Sequence, residues 1–158
     1  MAKDGKDSLI IKVNDISNED SIKKYGQGMD QISGDINSII LMRQMVAIIH
    51  ESIIRCEQYN HKLGLQLMDQ MNKMQEYATN VRDKLLEMDN NLEDLKEKSK
   101  WKGRAAIRRL RIHRAKLCHR FVCCMIDYNN IQAKYKSKYI QLLRTQFNIA
   151  KLPVMNYR

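Results

Sequence analysis

Nine apolar residues, Leu67, Met71, Met74, Ala78, Val81, Leu85, Met88, Leu92 and Leu95, follow one another at strictly alternating steps of four and three. An α-helix turns that spacing into a single seam, so residues from about 64 to 98 are expected to form one long helix that must bury its seam against other helices. Asp83, Lys84, Glu87, Asp89 and Glu93 fall between the seam positions, where a solvated face needs them.

The same period flanks this segment on both sides. Met29, Ile32, Ile36, Ile39, Val46 and Ile53 predict a first helix over about 28–57, with Gly26 and Gly28 marking a loose start and Gly34 costing some helix propensity within it. A third helix is expected over about 104–150, with Ile107, Leu110, Leu117, Phe121, Cys124, Tyr128, Ile131, Tyr135, Leu142 and Ile149 as its seam and Arg114 and Lys138 interrupting it. Val122, Met125, Tyr139 and Leu143 broaden that face, which predicts contact with two neighbours, and Pro153 is expected to end the helix. Residues 58–64 read as a connection, and Gly103 places a turn near 98–103. The polar stretch 1–24 shows no sustained period and reads as a mobile tail, with a short C-terminal tail over 151–158. The expected fold is all-α: an elongated, antiparallel, up-down-up three-helix bundle spanning about 25–150.

Composition agrees with that class and narrows the setting. At 44% hydrophobic, 29% charged and 6% aromatic, with one proline, the chain suits a mainly helical domain large enough to bury its own core. No uninterrupted apolar run approaches the roughly 18–20 residues that cross a bilayer. The run near Ile39–Met42 stops at Arg43, so no spanning segment is expected. The opening residues lack a secretory apolar region, which makes a cytoplasmic setting the default. Cys56, Cys118, Cys123 and Cys124 show neither a CxxC pair nor a secreted framework and are expected as thiols, with Cys123 and Cys124 divided between the core and its boundary.

The net charge of +10 is local. Between Lys96 and Arg120 there are eleven Lys or Arg and one acid, Glu97, so 11 − 1 = +10, and the rest of the chain balances at 17 basic against 17 acidic residues. Lys100, Lys102, Arg104, Arg108, Arg109 and Arg111 are therefore candidates for an anionic surface. Three readings stand side by side: contact with an anionic membrane, contact with nucleic acid, and a solvated helix end. Arg104, Arg108 and Arg111 share a face while Arg109 and Arg120 point elsewhere, and Trp101 is the one aromatic placed to stack on bases.

Catalytic signatures are missing: there is no GxSxG, P-loop or HExxH. His119 and Cys123 stand four apart and could supply two metal ligands, but two do not make a site and His113 lies off their face. His50 reads as a packed or half-exposed residue and the ten methionines as adaptable core filler. No enzyme activity, cofactor or metal is expected.

Read in order, the segments resemble the N-terminal Habc domain of the syntaxins, the Qa-SNAREs of vesicle fusion. In the third helix Arg108, Leu117, Phe121, Met125, Tyr128, Asn129, Gln132, Tyr135 and Lys136 fit the family's run of a basic start, an aromatic and then M-x-x-YN-x-x-Q-x-x-Y, with Gln146 and Ile149 at its end. In the second helix Met68, Met74, Val81, Arg82, Lys84 and Leu85 match the stretch around V-R-x-K-L, and Ile32, Ile36, His50 and Ile53 fall at related places in the first. The family's linker, SNARE motif and membrane anchor are not expected within these residues. Its regulator-binding N-terminal peptide is matched by Asp4, Leu9 and Ile10 but not by an Arg. The resemblance implies a regulatory interaction domain in SNARE-dependent trafficking and exocytosis, at the cytosolic face of the plasma membrane or endomembranes. Implied partners are SNARE motif helices and Sec/Munc-type regulators. It also implies a groove between the second and third helices that receives a SNARE motif helix. Met125, Asn129, Gln132 and Lys136, spaced by four, three and four, are the candidate stripe facing it, the alternative being an ordinary solvated shoulder.

Overall fold

The computed structural model describes residues 4–56, 60–98 and 104–155. They form three helices, α1 (Asp4–Arg55), α2 (His61–Lys98) and α3 (Arg104–Met155). Among the described residues there is no strand. The fold is the three-helix bundle that the seams predicted.

Helix ends differ from the expectation in three places. Asn60 caps α2: its side-chain oxygen accepts from the backbone N–H of Lys62 at 3.1 Å and Leu63 at 3.3 Å, so the helix starts at His61, ahead of the expected residue 64. Helix α1 begins at Asp4, which makes the expected tail helical from that point to residue 27. Tyr25 is buried, and its hydroxyl donates to the Met88 carbonyl, a tertiary anchor that periodicity alone could not reveal. Helix α3 runs to Met155, past Pro153, because proline removes one hydrogen bond and a loss confined to the last turn does not stop the helix at once. The turn residues 99–103 lie outside the described residues, and so do 57–59 of the first connection.

The chain packs as two compact units, residues 1–38 with 77–121 and residues 39–76 with 122–158. In the first unit the direction of each helix is written in its pairings. Asp35 pairs with Lys84 at 3.0 Å, and Tyr25 meets Met88, so numbers rise along α1 as they fall along α2. Arg111 pairs with Glu93 at 2.9 Å, Arg114 lies 3.6 Å from Asp89, and the Arg114 Nε donates to the Leu85 carbonyl at 3.2 Å, which makes α2 and α3 antiparallel as well. Arg120 reaches Ser33 and Asn37, which makes α1 and α3 neighbours, and since both run opposite to α2 they are parallel and the order is up-down-up. Met29, Ile32, Ile36, Val81, Leu85, Met88, Leu92, Ile107 and Leu117 fill this core around Tyr25. A Cβ added at Gly28 would stand 2.6 Å from the Met88 methyl, so a side chain there would have to push that flexible tip aside.

The second unit is built on Ile39, Val46, Ile49, Met74 and Cys124, with His50 buried among them. The His50 ring stacks on Tyr135, centroids 3.8 Å apart and planes within 6°, and Tyr139 follows Tyr135 at 5.8 Å. Both His50 nitrogens lack a hydrogen-bond partner among the described residues, and burial lowers its pKa to about 4. At its edge Arg43 pairs with Asp127 at 2.9 Å and Lys138 with Glu51 at 3.1 Å. A hydrogen bond and the positive charge of Lys138 hold the Glu51 carboxyl below the usual carboxylate range.

One further expectation needs correction. Val122 and Leu143 do not broaden the buried face of α3; they are 46% and 47% exposed. Within α1, the segment Asp20–Arg55 is long enough to cross a membrane and contains an 18-residue stretch of mean hydropathy 1.3, apolar enough by composition alone. Arg43 breaks the run without lowering the average enough, because isoleucines buried on one side of α1 are joined by Leu41, Met45 and Ile48 exposed on the other. The core helix of a bundle passes the same test of length and composition, and seven residues of this segment, Tyr25, Met29, Ile32, Ile36, Ile39, Val46 and Ile49, serve the cores of the two units.

Candidate partner-helix surface

The four candidate groove residues all lie on α3 in the second unit. Steps of four, three and four set Met125, Asn129, Gln132 and Lys136 in one stripe beside the core line Cys124, Tyr128, Ile131 and Tyr135. Asp127 and Lys138, which reach Arg43 and Glu51 of α1, mark the other flank of α3, so the stripe lies on the flank turned away from α1. Met125 and Gln132 are half-buried, Asn129 and Lys136 exposed. The Gln132 Nε2 donates to the Tyr128 hydroxyl at 2.6 Å. Burial raises the Tyr128 pKa, and this hydrogen bond partly offsets the rise. Gln132 is thereby held in place, while Asn129 and Lys136 face outward.

A second pattern on α3 contains those two residues and goes beyond the stripe expected from the sequence. Val122, Ile126, Asn129, Ala133, Lys136, Ile140, Leu143 and Phe147 alternate strictly between steps of four and three, and all eight are exposed. This is a second heptad line, opposite the core seam, with Ile126 at 53% exposure and Phe147 at 60%. On α2 the same unit exposes Leu65 and Met68. The signal is present in the spacing, but one helix then carries two seams, and only burial tells which of them is the core.

Among the basic candidates, Lys100 and Lys102 lie outside the described residues, as does Trp101. Arg104, Arg108 and Arg111, spaced by four and three, share one face of α3 in the first unit and line a cleft of about 420 Å³ with Lys96 and Ile107. Arg109 is not part of it, since one residue turns a helix by about 100°. A larger cleft of about 640 Å³ between α1 and α2 of the same unit is lined by Tyr25, Lys84, Glu87 and Met88 among others and assembles no catalytic constellation. Cys124 is buried and Cys123 exposed, and neither is in a disulfide. Among the described residues no three His, Cys, Asp or Glu side chains gather as a metal site would require.

Comparison with known families decides the identity of the bundle. The family model described as Syntaxin matches residues 19–152 of the 158. The chain belongs to the syntaxin family. No curated protein matches it in a sequence comparison. Syntaxins are non-enzymatic proteins of SNARE-dependent vesicle trafficking, and this syntaxin's general role is there, with SNARE-type protein partners and an association with membranes.

Proposed function

We infer that this syntaxin bundle is a regulatory domain that takes a SNARE motif helix onto α3 and so controls whether that helix is free to enter a fusion complex, as in exocytosis. The observation that supports this is the exposed heptad line from Val122 to Phe147. An apolar line at helical spacing, left uncovered along seven turns, matches the i, i+3, i+4, i+7 anchors by which one helix recognises another. Met125 and Gln132 give the line a half-buried shoulder, and Leu65 and Met68 of α2 add apolar surface in the same unit. Asn129 and Lys136 interrupt the apolar line and would set register and partner choice, as polar residues do in coiled coils. A Sec/Munc-type regulator would compete for or cover this surface, and the domain would act at the cytosolic face of the plasma membrane or endomembranes. The mechanism is competition: a partner bound to the bundle is withdrawn from the pool that assembles.

The test is binding of a labelled SNARE motif peptide to the full chain, read by fluorescence anisotropy. Ile126→Glu together with Leu143→Glu should weaken binding at least about tenfold, and Asn129→Ala with Gln132→Ala less. The association should persist as salt is raised, because apolar burial carries it. Unchanged affinity in both double variants, with helicity intact, refutes the assignment.

A further inference from the structure

The basic cleft of the first unit does something the partner-helix surface does not require. Four cations, Lys96 of α2 and Arg104, Arg108 and Arg111 of α3, surround a floor formed by Ile107, itself 6% exposed. Glu93, paired with Arg111 at 2.9 Å, and Glu97, next to Lys96, are the acids on the adjoining turn of α2, so positive charge prevails in the cleft. Asp94, the remaining acid nearby, lines the other cleft of this unit. Glu93 also orients the Arg111 guanidinium. Assembling so much like charge at one point is unfavourable for the bundle alone and favourable when an anion arrives.

The chemistry of the lining selects the anion. Guanidinium forks match phosphate oxygens two at a time, and Arg104, Arg108 and Arg111 sit at the i, i+4 and i+3 spacings that bring side chains about 5–6 Å apart. That separation suits two phosphate groups on one small ring better than a single carboxylate. The apolar Ile107 beneath excludes water from one side of the ions and strengthens each contact. One turn beyond Arg108 on the same face, Ile112 is 51% exposed. An apolar side chain beside a basic cleft fits the boundary between headgroups and acyl chains. Among the described residues, the other basic side chains of this stretch of α3, Arg109, Arg114, Lys116 and Arg120, are dispersed around the helix and form no continuous track for a nucleic acid backbone.

We propose that the cleft lined by Lys96, Arg104, Arg108 and Arg111 binds the phosphomonoester groups of a polyphosphorylated lipid headgroup, docking the first unit on an anionic membrane surface. The test is flotation of the full chain with vesicles of phosphatidylcholine alone, with added phosphatidylserine, and with added phosphatidylinositol bisphosphate. Binding should be strongest to the last and fall steeply with salt. Arg104→Gln with Arg108→Gln should reduce it about thirtyfold, roughly fivefold for each charge near the surface. Arg109→Gln with Lys116→Gln removes the same charge outside the cleft and should cost under about threefold. Helicity by circular dichroism verifies that both variants fold. Soluble inositol trisphosphate should compete with the vesicles; if it binds the chain as tightly as they do, the ligand is a free phosphate and the membrane assignment fails. Equal losses in the two double variants, no binding to bisphosphate vesicles at low salt, or a preference for duplex RNA at matched phosphate concentration would each overturn the proposal.

Discussion

The two units use apolar residues in opposite ways. Among the described residues, ten of the fifteen buried hydrophobics belong to the first unit and five to the second, whereas of the twelve large hydrophobics left exposed the first holds two, Leu86 and Ile112, and the second ten. Both are cut from the same three helices. The first spends its apolar residues on its own core and carries the dense basic run that begins at Lys96. The second keeps a thinner core, places in it a histidine that has no hydrogen-bond partner among the described residues, and presents Leu41, Met45 and Ile48 on α1, Leu65 and Met68 on α2, and the line from Val122 to Phe147 on α3. A surface of that kind is normal where a partner will cover it. Apolar self-burial and apolar exposure are thus divided between the units rather than blended.

The sharpest way to break that division is to remove apolar volume from the buried core of the first unit and from the exposed line of the second. Leu92→Ala, at 1% exposure in the first unit, should cost about 2–5 kcal/mol in urea denaturation, while Ile126→Ala, over half exposed in the second, should cost less than about 0.5 kcal/mol. Equal costs would mean that the exposed line is structural.

The next effect is pH-dependent and belongs to the second unit. Burial lowers the His50 pKa from 6.5 to about 4, so the folded state holds the ring neutral. Its contribution is complete above pH 6.5 and is lost as the pH falls from there toward 4, because the unfolded chain binds the proton first. The loss should approach about 3 kcal/mol at pH 4, and His50→Phe, which keeps a ring against Tyr135, should abolish this part of the dependence. A variant with an unchanged stability profile between pH 4 and 6.5 would show that the ring is solvated when charged.

Smaller still is the cap. Asn60→Ala should cost α2 about 1 kcal/mol by thermal denaturation, since two N–H groups lose their acceptor. The smallest change is expected at the edge of the first unit, where Asp35→Asn breaks a partly exposed pair with Lys84 and should cost at most about 1 kcal/mol. A larger loss there would make ion pairs, not packing, the basis of that unit's stability.

How far the residues could be read in advance depends on whether their role is written locally. The α2 seam was legible because each of its nine residues is at least half-buried in the bundle, and the seam of α3 was legible as far as Leu142 for the same reason. The Asn60 cap was also written locally, in the side chain immediately before the helix, yet the surrounding polar residues disguised it as part of a connection. The spacing of Met125, Asn129, Gln132 and Lys136 sets them in one stripe, but the longer exposed line containing Asn129 and Lys136 needs burial to reveal it, since spacing gives a face and does not say what covers it. The early start of α1 was hidden by Gly26 and Gly28, whose low helix propensity argued for a loose end, while the contact of Tyr25 with Met88 lies 63 residues away in the chain.

What the order of amino acids determined by itself was the helical class, the number of helices, their buried seams and the concentration of charge between Lys96 and Arg120, because periodicity and charge are properties of neighbours along the chain. Tertiary structure alone decided which of the two α3 seams became core, which four cations share a cleft, and that His50 is shut away from water against Tyr135. Those outcomes depend on which helix covers which face, and that is settled by packing among residues far apart in sequence.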